Sequence, residues 1–124
     1  MNQSTYSDDA RSLLVKAVEL AGGDRIVARH LLEMIVDTNQ STLAWLQQSI
    51  DAASWESVAS AAHRIVGSAR LLGDTELIAL FTRLEEVARK RERVAVDALL
   101  PLVIGAVAKL DEWIKVAVSV AHQS

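Results

Sequence analysis

The chain has no cysteine among its 124 residues. That absence removes disulfides, thiol catalysis and cysteine-rich zinc sites together. Proline occurs once, at Pro101, and signals for β-strands are missing. No apolar run approaches the roughly 18 residues of a membrane span, and the N-terminus carries no signal-peptide pattern. A cytoplasmic location is therefore the default expectation. Basic excess is lacking too: the formal net charge of −3 gives no reason to expect nucleic acid. What is present is 51% hydrophobic and 23% charged residues, the balance of a folded chain and not a disordered one. The length fits a single domain, residues 1–124, able to bury a core.

Apolar residues recur at helical spacing throughout. A first helix is expected from near Ser7, a candidate cap, with Asp8 and Asp9 in its first turn, as far as Gly22-Gly23. Asp24 can cap a long second helix carrying Leu31, Ile35, Thr38, Thr42, Trp45 and Ile50. Ser54 can cap a third, spanning about 55–72 and closed by Gly73 in the usual glycine position. Asp74 then caps a fourth, with Leu77, Leu80, Phe81, Leu84 and Ala88 along its stripe. Lys90-Arg91-Glu92-Arg93 forms a charged connection. The last helix carries Leu99, Leu100, Val103, Val107, Leu110, Ile114 and Ala117, with a kink at Pro101 or a start close before it. Short connections make consecutive helices antiparallel. The expected fold is all-α, an antiparallel up-and-down four-helix bundle with an additional N-terminal helix.

The third helix holds the candidate site. At roughly 100° of rotation per residue, Ser54, Val58, Ala61, Ile65, Ala69 and Leu72 lie opposite His63, while Glu56, Gly67 and Arg70 share its side. The apolar strip is the one that packs, so His63 is expected on the solvent side. Gly67, one turn away, costs roughly 1 kcal/mol of helix stability relative to alanine. Its bare backbone would let a partner approach the imidazole. An exposed imidazole beside open backbone suits a group-transfer nucleophile.

The stretch from Ala62 to Gly73 resembles the phosphoacceptor motif of histidine-containing phosphotransfer (HPt) domains of multistep two-component phosphorelays. The matching residues are Ala62-His63, Ile65, Gly67-Ser68-Ala69 and Leu72-Gly73, followed at the family's spacing by Leu77, Leu80, Leu84-Glu85 and Arg89. The resemblance extends over the chain in length and helix order. It implies a four-helix bundle, often with an extra N-terminal helix, and an exposed histidine on one helix. One position departs from the pattern: the family usually has lysine three residues after the histidine, and here Val66 stands there. Arg70, two turns beyond His63 at nearly the same angle, is the first candidate to hold the phosphoryl group instead. Arg64, pointing to one side, is the second.

The resemblance implies that His63 accepts a phosphoryl group from an aspartyl phosphate of a receiver domain and passes it to another receiver. It implies a carrier without turnover of its own and without a cofactor, the Mg²⁺ ion being the receiver's. The partners would be response-regulator receivers and a hybrid sensor kinase, docking transiently around Ala59, Ser60, Val66 and Gly67. A monomer is expected, with no contact to nucleic acid or membrane. The alternative is an HPt-like scaffold or inhibitor that binds a receiver or kinase without being phosphorylated. A kinase dimerisation domain is a weaker reading, since the length leaves no room for an ATP-binding domain. Elsewhere, His30 and His122 lack metal-ligand spacing with His63. Trp45, Trp55 and Trp113 read as core or edge packing. Arg89 to Arg93 read as a solvated helix end, and Met34 as core or docking face.

Overall fold

The computed structural model describes the backbone of residues 2–123 and the side chains of residues 8–121. The described residues form five helices: α1 (Asn2–Leu20), α2 (Arg25–Asp51), α3 (Trp55–Leu72), α4 (Thr75–Arg89) and α5 (Arg93–Gln123). No strand occurs among the described residues. The all-α class and the helix order expected from the sequence are those observed.

Local chemistry explains most boundaries. Gly22 and Gly23 stop α1 with φ of 66° and 93°, a region that glycine enters without a Cβ penalty. The Asp24 carboxylate accepts from the backbone N–H groups of Ile26 and Val27 at 2.9 and 3.1 Å, capping α2. Asp74 does the same for α4, accepting from Leu77 N–H at 3.0 Å. Gly73, with φ of 72°, ends α3 in the left-handed conformation, and the Asp74 N–H returns to the Ala69 carbonyl. This two-residue connection turns α4 back antiparallel on α3.

Three boundary expectations change. Helix α1 begins at Asn2, so Asp8 and Asp9 stand beyond its first turn, and the Ser7 side chain lies outside the described residues. Ser54 occupies the cap position of α3 with ψ of 82°, but its hydroxyl donates to Ser57 Oγ and makes no capping bond. Helix α5 starts at Arg93 and runs through Pro101, which lies exposed inside it. The proline forgoes a bond to the Asp97 carbonyl without ending the helix.

The chain divides into two compact units. One comprises α1, α2 up to Asp37 and α5 from Ala108; its core includes Leu13, Leu14, Leu32, Ile35, Leu110 and Ile114. The other comprises α2 from Thr38, all of α3 and α4, and α5 up to Val107. Its core is built from Leu46, Val58, Ile65, Leu77, Phe81, Leu84, Val96 and Val103. On α2 the buried line runs through Leu32 and Leu46, whereas Leu31 is half-buried and Thr38 exposed. Of the stripe read from the sequence, Ile35, Thr42 and Ile50 are buried, while Leu31 and Thr38 each stand one residue before a buried position, Leu32 and Asn39.

Candidate functional site

The site lies in the second unit, on the α3–α4 hairpin. The α3 positions assigned to the packing side, Val58, Ala61, Ile65, Ala69 and Leu72, are all buried; Ser54 is exposed. His63 emerges on the other side with its side chain 70% exposed. Gly67 is also exposed, and a Cβ built there meets no atom within 4 Å. Tight helix packing therefore does not account for this glycine, and the backbone beside the imidazole is open.

The buried face of α3 is wider than one stripe. Ala59, Ala62 and Val66 recur at helical spacing next to His63 and are buried as well, Ala59 at 1% and Val66 at 3% exposure. Expecting Ala59 and Val66 on the docking surface was therefore incorrect. A single-stripe reading assumes one packing neighbour, whereas α3 is enclosed on more than one side of its unit. Ser60 and Gly67 remain on the surface.

Across the hairpin, His63 Nδ1 lies 3.3 Å from Glu85 Oε1. The other carboxylate oxygen, Oε2, accepts from Arg89 at 2.8 Å (Nη2) and 3.3 Å (Nε). Glu85 is only 19% exposed, yet its carboxyl is held below the usual range, chiefly by the Arg89 hydrogen bond and secondarily by His63, against the opposing effect of burial. An ionised carboxylate only accepts, so the imidazole donates Nδ1–H to it. In the neutral imidazole this contact favours the tautomer that carries its lone pair on Nε2. Arg89 is the exposed basic residue of the last turn of α4, as expected of a solvated helix end, and it also holds Glu85. Its i, i+4 spacing from Glu85 was the available signal, and the cross-hairpin meeting with His63 was not visible in one-dimensional spacing.

The two expected cations lie apart in circumstance. Arg70 is exposed on α3, and its side chain makes no ion pair or hydrogen bond among the described residues. Arg64 lies over the Trp45 ring on α2, its guanidinium carbon 5.5 Å from the ring centroid. The other half-buried tryptophans also meet cations, Trp55 under Arg93 and Trp113 under Lys109, so all three sit at edges. Met34 is exposed. No group of three or more His, Cys, Asp or Glu among the described residues is arranged to hold a metal; His30 is exposed, and the His122 side chain lies outside the described residues.

A surface imidazole with one nitrogen fixed by a carboxylate and the other open defines a helical module built to present a histidine. The chain matches the Hpt domain family over residues 30–113 and belongs to that family, whose members are all-α modules of phosphorelays. It is also similar to the virulence sensor protein BvgS of Bordetella pertussis, at 31% identity over 86 residues. That match covers 67% of this chain but only 7% of BvgS, so the chain spans a small part of that relative. No solved structure matches. Among the described residues no helix is long and apolar enough to cross a membrane.

Proposed function

We propose that the chain is a phosphorelay carrier whose phosphoacceptor is Nε2 of His63. The observation that carries this reading is the 3.3 Å contact of His63 Nδ1 with the Glu85 carboxylate at a side chain 70% exposed: with Nδ1–H given to Glu85, Nε2 is the nitrogen left for the phosphoryl group. The incoming phosphoryl group arrives as an aspartyl phosphate on a receiver domain. The Nε2 lone pair forms the N–P bond as the bond from phosphorus to the carboxyl oxygen breaks, and that electron pair leaves on the receiver's aspartate. The ring keeps its Nδ1 proton and becomes positively charged. Glu85, already ionised, stands against that charge as it develops. The reverse sequence delivers the group to a second receiver.

Arg70, uncompensated and on the His63 side, supplies positive charge to the phosphoryl oxygens in place of the usual lysine. Mg²⁺ belongs to the receiver, and turnover does not occur on this chain alone. A monomer in the cytoplasm, meeting receivers and a hybrid sensor kinase over Ser60 and Gly67, fits the small exposed site.

The competing reading is a scaffold that binds receivers without being phosphorylated, and Val66 at the family's lysine position is the feature that favours it. Incubation with a panel of phosphorylated receiver domains separates the two. Label on the native chain, stable to alkali, labile to acid and absent from His63→Gln, supports the carrier. Receiver binding without label supports the scaffold.

A further inference from the structure

The geometry points to Trp45 as a positioning residue that holds Arg64 beside His63 as the docking cation for an acidic side chain of the partner protein. This inference rests on receiver binding at the His63 surface but not on phosphorylation of His63.

Arg64 directly follows the histidine on α3, about 100° around the helix, and its side chain is exposed. Its guanidinium lies over a half-buried tryptophan of α2 in the same unit, at 5.5 Å. Cation–π contacts at exposed sites contribute little to folding, so stability alone is a weak reason for the pair. Its effect on the arginine is larger. A free arginine samples many rotamers, and contact with the ring restricts them, which lowers the ordering cost of a later hydrogen bond. The N–H groups at the edge of the guanidinium remain available for a carboxylate.

Charge bookkeeping separates Arg64 from its neighbours. Arg89 is neutralised by Glu85, and Arg93 pairs with Asp97 at 3.6 Å. Arg64 has no carboxylate partner among the described residues. The imidazole is thus flanked by a carboxylate from α4 and by an unneutralised cation held against α2. That asymmetry gives an approaching surface an orientation as well as an attraction. A partner with an Asp or Glu opposite Arg64 docks with the phosphorylated residue over Nε2, whereas the reversed orientation sets that carboxylate over the Glu85–Arg89 pair, which offers no unneutralised cation. Arg70, close to the His63 direction, is left to the phosphoryl group.

The test uses the whole chain and the receiver domain that binds it most tightly in a panel. Affinity is titrated calorimetrically for Arg64→Ala, Arg64→Lys, Trp45→Phe and Trp45→Leu. Reaction of each with phosphoramidate, which needs no docking, reports the imidazole separately. Arg64→Ala is expected to weaken receiver binding roughly tenfold and to flatten its salt dependence. Trp45→Leu weakens it several-fold although the charge is retained, and Trp45→Phe, which keeps a ring, stays within about twofold. Arg64→Lys falls between. Phosphoramidate labelling is unchanged in all four. Unaltered affinity in Arg64→Ala overturns the inference, as does a loss of phosphoramidate labelling that parallels the loss of affinity. Full affinity in Trp45→Leu removes the positioning role. A native chain that binds the receiver yet takes no label from phosphoramidate contradicts the carrier and leaves the docking result to be read by itself.

Discussion

His63 on α3 and Glu85 on α4 meet across the hairpin, Nδ1 to Oε1 at 3.3 Å, while the second oxygen of Glu85 is held by Arg89. In the proposed carrier, this contact selects the imidazole nitrogen that takes the phosphoryl group. Substituting Glu85→Gln removes the charge but keeps the shape. Transfer from a phosphorylated receiver is expected to slow on the order of 10-fold, as for other groups that orient a reacting histidine. Circular dichroism should show the helices intact. The contact also has a pH signature. Because the Glu85 carboxyl is held below its ordinary value of 4.5, the stability it adds is present above that value and is lost as the pH falls below it through the folded-state value. Acid melts of the native chain and Glu85→Gln should therefore differ above pH 4.5 and converge only once the pH has fallen below the lowered folded-state value.

Gly67 offers a test that separates folding from approach. A Cβ there meets no neighbour, so Gly67→Ala should raise stability by about 0.5–1 kcal/mol through helix propensity. The same methyl group stands on the surface one turn from the imidazole. Receiver-dependent transfer should fall while the melting temperature rises, measured on one sample by rapid-quench labelling and thermal denaturation.

Val66 occupies the position where the family usually carries lysine, and the simple repair should fail. The side chain is 3% exposed. Val66→Lys forces an ammonium toward buried surroundings or the α3 backbone to shift, at a cost of about 2 kcal/mol or more. Denaturant unfolding should show the loss, with no accompanying gain in transfer.

Arg70 is expected to carry the lysine's charge role. Arg70→Ala should shorten the lifetime of the phosphorylated chain and slow its formation by about 10-fold, the effect of one charge-assisted contact, and Arg70→Lys should restore most of it. Quenched time courses of label gain and loss give both rates.

Much of this architecture was legible in the residues because helices announce themselves locally. Asp24 and Asp74 cap as their positions suggested, Gly73 closes α3, and the face opposite His63 is buried as the rotation arithmetic required. What escaped was non-local. The wheel assigned one packing side to α3, so Ala59 and Val66 were placed on the surface, although α3 is enclosed more widely. The Glu85–Arg89 pair stood in plain view at helical spacing, but its meeting with His63 depends on how α4 returns along α3. The Trp45–Arg64 contact needs α2 beside α3 in the same way. Ser54 shows a local signal failing for a local reason: its backbone angles are close to those of Asp74, which does cap, but its hydroxyl is turned to Ser57 Oγ and not to the first-turn amides.

The most direct measurement is long-range proton–nitrogen NMR of the His63 ring after phosphorylation by a receiver domain or phosphoramidate. The account predicts a proton retained on Nδ1 and phosphorus bonded to Nε2, with the selectivity relaxed in Glu85→Gln. Phosphorus on Nδ1, or a ring that stays unmodified while the receiver binds, would contradict it.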